Sequence, residues 1–442
     1  VTTLLLPAIL VGTIVVQALL PERRLLVLLT GAGISCLTAA LLGVATVPAL
    51  LAAVPWDVLV ILIALGLLSE LIASSGVFGV LAARACAWSR GHPRTLAISF
   101  VVGMYVMSGL VNNLTALLLV LPMLLVLCKL LGVSQRYLTW TVGAVLVACN
   151  LGGAATPIGD FPAVLLLGRG SMTFSDYLVQ ALPATLVALA LVMAAVFLVA
   201  RPERDVEPSR LASALSTRLV GELHRNVQPA RRVLVPSLVA LVGMFAAWSF
   251  APPELGLSPE VVAWIGVGAA FLALPREGER LLRERVDVQA VLVLFALFVM
   301  VTAVRQSGMF GDIAAWLQAL PTSGTSRLVI FLLVAGVLTG LFSAGPSMAA
   351  LLEVAEHLAR TEPPHAVYIG LALSVCAGSS LFLTAATSGP LAQALVERAD
   401  LRDPGGNTMR FGFTTFVPVG LCAFVIIEAV AIGYALLATG GV

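Results

Sequence analysis

Long apolar runs alternate with short polar loops from one end of the chain to the other. A run of about twenty apolar residues crosses ~30 Å of hydrocarbon as a helix. Such runs predict spans over 3–20, 25–44, 57–83, 138–168 and 174–200, then 233–251, 259–274, 286–306, 366–397 and 411–438. Two further apolar stretches, 95–131 and 326–359, are each interrupted midway. The interruptions are Val111-Asn112-Asn113-Leu114-Thr115 and Ser343-Ala344-Gly345-Pro346-Ser347.

The order of these features repeats. Each half reads as three spans, a Gly-x-Phe-Gly phrase, an interrupted stretch and two more spans. The phrase is SSGVFG at 74–79 and QSGMFG at 306–311. Gly76 precedes Asn112 by nearly the interval at which Gly308 precedes Ser343, and CNLGG from Cys149 then matches CAGSS from Cys376. This is the signature of an internal duplication. The expected fold is an all-α polytopic membrane protein of about ten transmembrane helices and two hairpins. Residues 1–200 form one repeat, with a hairpin over about 95–131, and 233–442 form the other, with a hairpin over about 326–359. Five crossings per half is an odd number, so the second half enters the bilayer inverted. Hydropathy alone leaves open whether each interrupted stretch is a re-entrant hairpin or two full crossings. The arm 348–359 favours the hairpin, because lipid tolerates Glu353, Glu356 and His357 poorly.

Composition agrees with this class. Hydrophobic residues make up 60% of the chain and charged ones 11%, too few to cover a water-facing surface, where about a quarter is usual. The distribution of charge adds sidedness. On the topology above, every Lys and Arg falls on one side except Arg169, Arg305, Arg327 and Arg360. The basic side is the cytoplasmic one, which predicts a multi-pass protein of the inner (plasma) membrane with both termini outside. The apolar start lacks the basic end and cleavage site of a signal peptide and reads as the first span. Residues 201–232 form the one sizeable polar segment. Pro208-Ser209 opens a helix there, and Leu211, Leu215, Leu219 and Leu223 recur on one face. It reads as an amphipathic cytoplasmic linker lying on the interface. The six cysteines show no paired spacing and read as small hydrophobes. The four histidines make no ligand pattern, and no metal site is expected.

Four helix breaks carry the candidate chemistry. Two are the hairpin tips; two lie inside spans, at Asn150–Pro162 and Ala377–Pro390. Backbone freed in lipid must be satisfied by protein or water, and breaks at matched places in inverted halves mark a midplane site. Carbonyls at the end of a rising arm suit a cation such as Na⁺; N–H groups at the start of a descending arm suit an anion. Asn112, Thr115, Ser343 and Ser347 are capping types, and a pure capping role stays open for each. Asp160 is read either as a site and coupling group or as a helix cap. Glu70, deep in the third span, is read either as a coupling group or as a structural partner. Glu428 stands alone in the last span and is assigned no role. Arg305 reads as a snorkelling residue, and Glu353, Glu356 and His357 as a solvated arm or as facing a water-filled vestibule.

The stretches NNLTALLLVLP from Asn112, NLGGAATPIGDFPAVLL from Asn150 and FSDYL from Phe174 resemble the ion transporter superfamily. That clan holds arsenite permeases, sodium/proton antiporters, the pink-eyed dilution P protein and sodium/dicarboxylate symporters. WDVLVILIALGLLSELIASSGVF from Trp56 is similar to its arsenite permease branch. The resemblance implies an elevator-type secondary transporter, usually a homodimer, with two hairpins and two unwound spans around the site. It places the first tip motif on Asn112, Asn113 and Thr115, and the first unwound motif on Asn150, Gly152, Gly153, Thr156, Gly159 and Asp160. In the second half it points to Ser343, Pro346 and Ser347 at the tip and to Ser379, Ser380, Thr387 and Ser388 in the unwound span. Where relatives begin each tip with Asp-Asn, this chain has Asn112-Asn113 and Ser343-Ala344. Loss of both acids weakens a bare-cation site and favours an anion or a neutral oxyacid.

The expected function is therefore secondary active transport of a small anion or oxyacid, arsenite-like, inorganic or carboxylate, coupled to H⁺ or Na⁺. The alternative is Na⁺/H⁺ antiport, which Asp160 keeps open. A channel and an intramembrane enzyme are remoter readings: the chain has no Gly-x-Ser-x-Gly and no His-Glu-x-x-His, and no phosphate-binding loop for ATP. No cofactor is expected beyond Na⁺ as a coupling ion, and the partners expected are the solute and the bilayer, not nucleic acid.

Overall fold

The computed structural model describes residues 2–20, 23–89, 92–157, 159–168, 172–206, 229–250, 258–284, 288–319, 324–386 and 388–440. Those residues are helical almost throughout and contain no strand. The first half consists of α1 (Thr2–Leu19), α2 (Arg24–Leu41), the short α3 (Val47–Ala52), α4 (Trp56–Ser74), α5 (Val77–Ser89), α6 (Pro93–Ser108), α7 (Asn113–Leu131), α8 (Gln135–Ala155), α9 (Phe161–Gly168) and α10 (Phe174–Ala194). The second half consists of α11 (Arg231–Phe250), α12 (Pro259–Ala273), α13 (Pro275–Glu284), α14 (Val288–Gln306), α15 (Met309–Ala319), α16 (Gly324–Phe342), α17 (Ala344–Leu358), α18 (Pro364–Leu381), α19 (Ser388–Ala399) and α20 (Phe413–Ala438). Eight of these helices are long and apolar enough to cross a membrane, and five more are apolar but shorter. Each of the ten expected spans contains one of them.

The duplicated phrase is a helix stop. Gly76 and Gly308 take φ +76 and +83, a left-handed conformation that costs a side chain energy but suits glycine. This corrects the expected span 57–83: α4 ends at Ser74, and the apolar residues after Gly76 form a separate helix, α5. The same stop after α14 closes the expected span 286–306 and starts α15, a helix over which no span was expected. The short helix α3 and the charged helix α13, PREGERLLRE, were also unforeseen.

The two halves pack reciprocally. Helix α2 of the first half lies on α14 of the second, and α12 of the second lies on α4 of the first. Likewise α7 packs on α19 and α17 on α9. Within each half the same partners recur: α6 on α8 and α16 on α18, then α8 on α10 and α18 on α20. These contacts sort the helices into two bodies. One gathers α1–α4 with α11–α14; the other gathers α6–α8 and α10 with α16–α20. The turns at Gly76 and Gly308 join them. At the heart of the second body, α8 and α18 are 94% and 89% buried, against 17% for α11, so the two interrupted spans are inner helices.

Most of the 201–232 linker, 207–228, lies outside the described residues. Its start is a single turn, Pro202–Asp205, on the face that carries Arg94 and Arg136. Arg94 pairs with Glu203 at 3.8 Å and Arg136 with Asp205 at 3.4 Å. Its end is held where Ala230 N donates to the Ser75 carbonyl at 2.8 Å, beside the first glycine stop.

Candidate functional site

All four expected breaks are present. Helix α6 ends at Ser108 and α7 starts after Asn112, whose Oδ1 accepts from Leu114 N at 2.8 Å as an N-cap. Helix α16 ends at Phe342 and α17 starts after Ser343. Helix α8 stops at Thr156 in extended backbone, and α18 stops at Phe382 in the same conformation; α9 and α19 resume beyond them. Ser343 adopts φ 82, ψ 152 without a side-chain cap bond. A residue with a Cβ pays on the order of 1–3 kcal/mol there, and such strain gathers at functional sites.

The breaks converge on one cavity of about 370 Å³. Asn112 and Asn113 come from the first tip, Ser343 to Gly345 from the second, Asn150 and Asp160 from the first unwound span, and Ser379, Ala385, Ala386 and Ser388 from the second. The tips therefore sit at the depth where α8 and α18 are broken. Each arm pair turns at this cavity, as the hairpin reading expects. Their shorter arms agree: α6 has 16 residues and α17 has 15, about 24 and 22 Å, short of ~30 Å of hydrocarbon.

A polar lattice ties the breaks together. Thr156 Oγ1 donates to the Gly109 carbonyl at 2.6 Å, joining the first tip to the first break. Ala344 N donates to the Ala385 carbonyl at 3.3 Å, joining the second pair. Asn150 Nδ2 reaches across the halves to the Ser379 carbonyl at 3.2 Å and Ser380 Oγ at 3.1 Å. Ser108 Oγ is hydrogen-bonded to Asn113 Oδ1 and lies 2.6 Å from the Cys149 carbonyl. Gly153 makes this closeness possible: a Cβ there would meet Asn113 Oδ1 at 2.6 Å and Asp160 Cβ at 2.9 Å. Gly159 packs against the Ser108 carbonyl in the same way.

The other named residues fall elsewhere. Thr115 turns from the cavity and donates to Glu70 Oε1 at 2.8 Å, so Glu70 has a partner on the first hairpin. Thr156 and Ser380 brace the walls. Ser347 lines a separate apolar groove behind the second tip. Thr387 lies outside the described residues. Two readings of charged groups are corrected. Arg305 does not simply snorkel: it pairs with Glu353 at 3.1 Å, and Glu353 is buried inside α17 and belongs to no solvated arm. Glu428 is buried too, accepting from Ser374 Oγ at 3.0 Å. The sequence reading missed Gln289 and the apolar wall of Leu62, Val293 and Leu294. Gln289 opens α14, in a part of the chain where no break drew notice.

The electrostatics follow from the helix ends. Four N-termini, those of α7, α9, α17 and α19, start at or beside the cavity, each carrying roughly half a positive charge. Among the described residues that line it, Asp160 is the one carboxylate, and none is Lys, Arg or His. Among the described residues no group of three or more His, Cys, Asp or Glu could hold a metal ion. Cys128, Cys149 and Cys376 are buried, free thiols that pack as small apolar groups.

Comparison with known proteins agrees with this architecture. An uncharacterized transporter of Mycobacterium tuberculosis is 29% identical over 358 residues, 79% of this chain and 80% of its own. A sodium/proton antiporter of Arabidopsis thaliana is 25% identical over 237 residues, 51% of this chain but 38% of the antiporter. The crystal structure of the Alcanivorax borkumensis YdaH transporter, described as having an unusual topology, superposes with a TM-score of 0.56. That superposition covers 88% of this chain and 85% of YdaH at 12% identity, a likeness of fold alone. The family model for the citrate transporter, CitMHS, matches residues 6–378, most of the chain. With its broken inner spans converging on one cavity, the chain is a multi-pass membrane transporter and belongs to the citrate transporter family.

Proposed function

We propose that the chain is a secondary active transporter of a small anion, with carboxylates the first candidates and oxyacids next, coupled to H⁺ or Na⁺. The observation that carries this reading is the convergence of four helix N-termini on a cavity with no cationic side chain among the described residues that line it. Together those ends supply about two positive charges, and Asp160 offsets one of them when ionised. The cavity then suits a singly charged anion, or a doubly charged one once Asp160 takes a proton. That link makes Asp160 the coupling group for H⁺. Na⁺, if it is the coupling ion, would sit on the carbonyls that end α8 and α18. At about 370 Å³ the cavity lies near the small end of the ~300–1,000 Å³ range of ligand pockets. The match to a citrate transporter model supports the same substrate class.

The two-body packing supports an elevator mode, in which the body with the tips slides along the body of α1–α4 and α11–α14. Matched polar contacts hold the two at this position: Glu70 on α4 with Thr115 on α7, and Arg305 on α14 with Glu353 on α17. The odd number of crossings per half supports inverted repeats, and the basic face supports a cytoplasmic linker. Na⁺/H⁺ antiport remains the second reading, favoured by Asp160 in the cavity and by the Arabidopsis relative. Thermal unfolding of the purified protein tests the choice. Citrate and smaller carboxylates, phosphate, arsenite, Na⁺ and Li⁺ are added one at a time. A ligand at a hundred times its Kd stabilises by about 2.7 kcal/mol. A shift with a carboxylate and none with Na⁺ alone supports the anion reading; the reverse pattern supports antiport.

A further inference from the structure

We propose that the apolar groove behind the second hairpin tip binds one acyl chain of a membrane lipid, and that the bound chain buttresses the tip. The groove, about 300 Å³, is lined by α1 and α14 of one body, by α16 and α17 of the other, and by α15 between them. Its inner end is formed by Phe342, Pro346 and Ser347. On the opposite side of that short segment, Ser343, Ala344 and Gly345 line the anion cavity. One strained turn thus separates the two spaces. Whatever fills the groove presses on the wall of the polar site.

The chemistry of the groove selects its occupant. Among the described residues that line it, the Ser347 hydroxyl is the one polar side-chain group apart from the Trp316 indole. That hydroxyl is buried and has no hydrogen-bond partner. A water needs two to four polar partners to be held, so water does not fill this space. An empty gap of this size forfeits dispersion contacts along all its walls. The solvent beside it is hydrocarbon: Val11 on α1 and Val334, Val337 and Leu341 on α16 turn apolar side chains outward from membrane helices, at 49, 48, 46 and 55% exposure. The groove is continuous with these faces through Val11 and Val334, which belong to both. At its outer end stands Trp316, 63% exposed and close to Asp312, the kind of amphipathic ring that settles at headgroup level. An acyl chain enters from there without dehydration cost.

The test uses vesicles of a phosphatidylcholine carrying a photoreactive diazirine at mid-chain. The purified full chain is reconstituted, illuminated and mapped by peptide mass spectrometry. The expected result is adducts on Pro346, Ala350 and Leu351, reduced several-fold in Ala350→Trp and in Val334→Trp, with adducts on Leu333 and Val337 unchanged. Adducts confined to the outer faces in the unsubstituted protein overturn the site, and this arm needs no variant to fold. The buttress rests on the reading of Ser343 as part of the anion site, so it has its own readout. Anion flux should change several-fold in both Trp variants at unchanged monodispersity; lost adducts with unaltered flux overturn the buttress. Labelling does not depend on the transported solute, so failure of the anion reading leaves the adduct map as expected.

Discussion

Gly153→Ala isolates the geometry of the cavity with a single methyl group. The added Cβ would lie 2.6 Å from Asn113 Oδ1 and 2.9 Å from Asp160 Cβ. Ordinary contact begins at about 3.5 Å, so each neighbour must retreat by roughly 0.6–0.9 Å. Both line the cavity, and they stand on different elements, α7 and the start of α9, so one rotation cannot relieve both. A polar contact to the solute lost in this way is worth about 1–3 kcal/mol, or roughly ten- to a hundred-fold in affinity. Stability changes less. Alanine gains about 1 kcal/mol over glycine in a helix, and overpacking costs about 1–3 kcal/mol; the two largely offset. The assay is anion uptake into proteoliposomes beside thermal unfolding of the same preparation. The control is Gly103→Ala on α6, where the added methyl meets nothing within 4 Å; it should transport normally. Gly153→Ala with uptake equal to that control would show that Asn113 and Asp160 do not bound the transported solute.

Further predictions concern single groups. Asn112→Ala removes the α7 cap, costing about 1 kcal/mol of stability, and should abolish most uptake while the protein stays folded; uptake within two-fold of normal reduces Asn112 to a cap. Ser343→Gly relieves about 1–3 kcal/mol of backbone strain, so it should raise the melting temperature and lower uptake together, whereas a lowered melting temperature contradicts the strained turn. Asp160→Asn should flatten the pH dependence of uptake without lowering uptake at acid pH; an unchanged profile makes Asp160 a cap. Glu353→Gln leaves Arg305 without its ionic partner between the two bodies and should alter the rate of transport more than the affinity for anion, read as separate changes in maximal rate and half-saturation.

The sequence made the breaks legible because they are built from local chemistry. Asn112, Ser343, the Gly-rich run after Asn150 and the Ser/Thr-rich run after Ala377 are capping and breaking residues set in apolar helix, and all four breaks are present. Where partners come from distant segments, the reading stopped. Nothing near Glu353 announces Arg305, and Ser374 stands 54 residues from Glu428, so buried pairs were taken for solvated or lone groups. Hydropathy also ran α4 and α5 together, since Val77 and the residues after it are as apolar as those before. The left-handed glycine that parts them was visible only as a phrase written twice. Ser347 and Thr115 satisfied the capping pattern, yet helical periodicity turns their side chains off the cavity wall, one into the apolar groove and the other onto Glu70.

On the proposed reading, helix N-termini hold a small anion between the two tips in place of cationic side chains. Uptake of radiolabelled citrate and of a labelled dicarboxylate into proteoliposomes, driven by an imposed pH or Na⁺ gradient, tests it directly. At least one of them should accumulate in a gradient-dependent way with the unsubstituted protein and should fail to do so in both Asn112→Ala and Ser343→Ala. Proton movement driven by Na⁺ jumps alone, with no anion accumulated under either gradient, would contradict it.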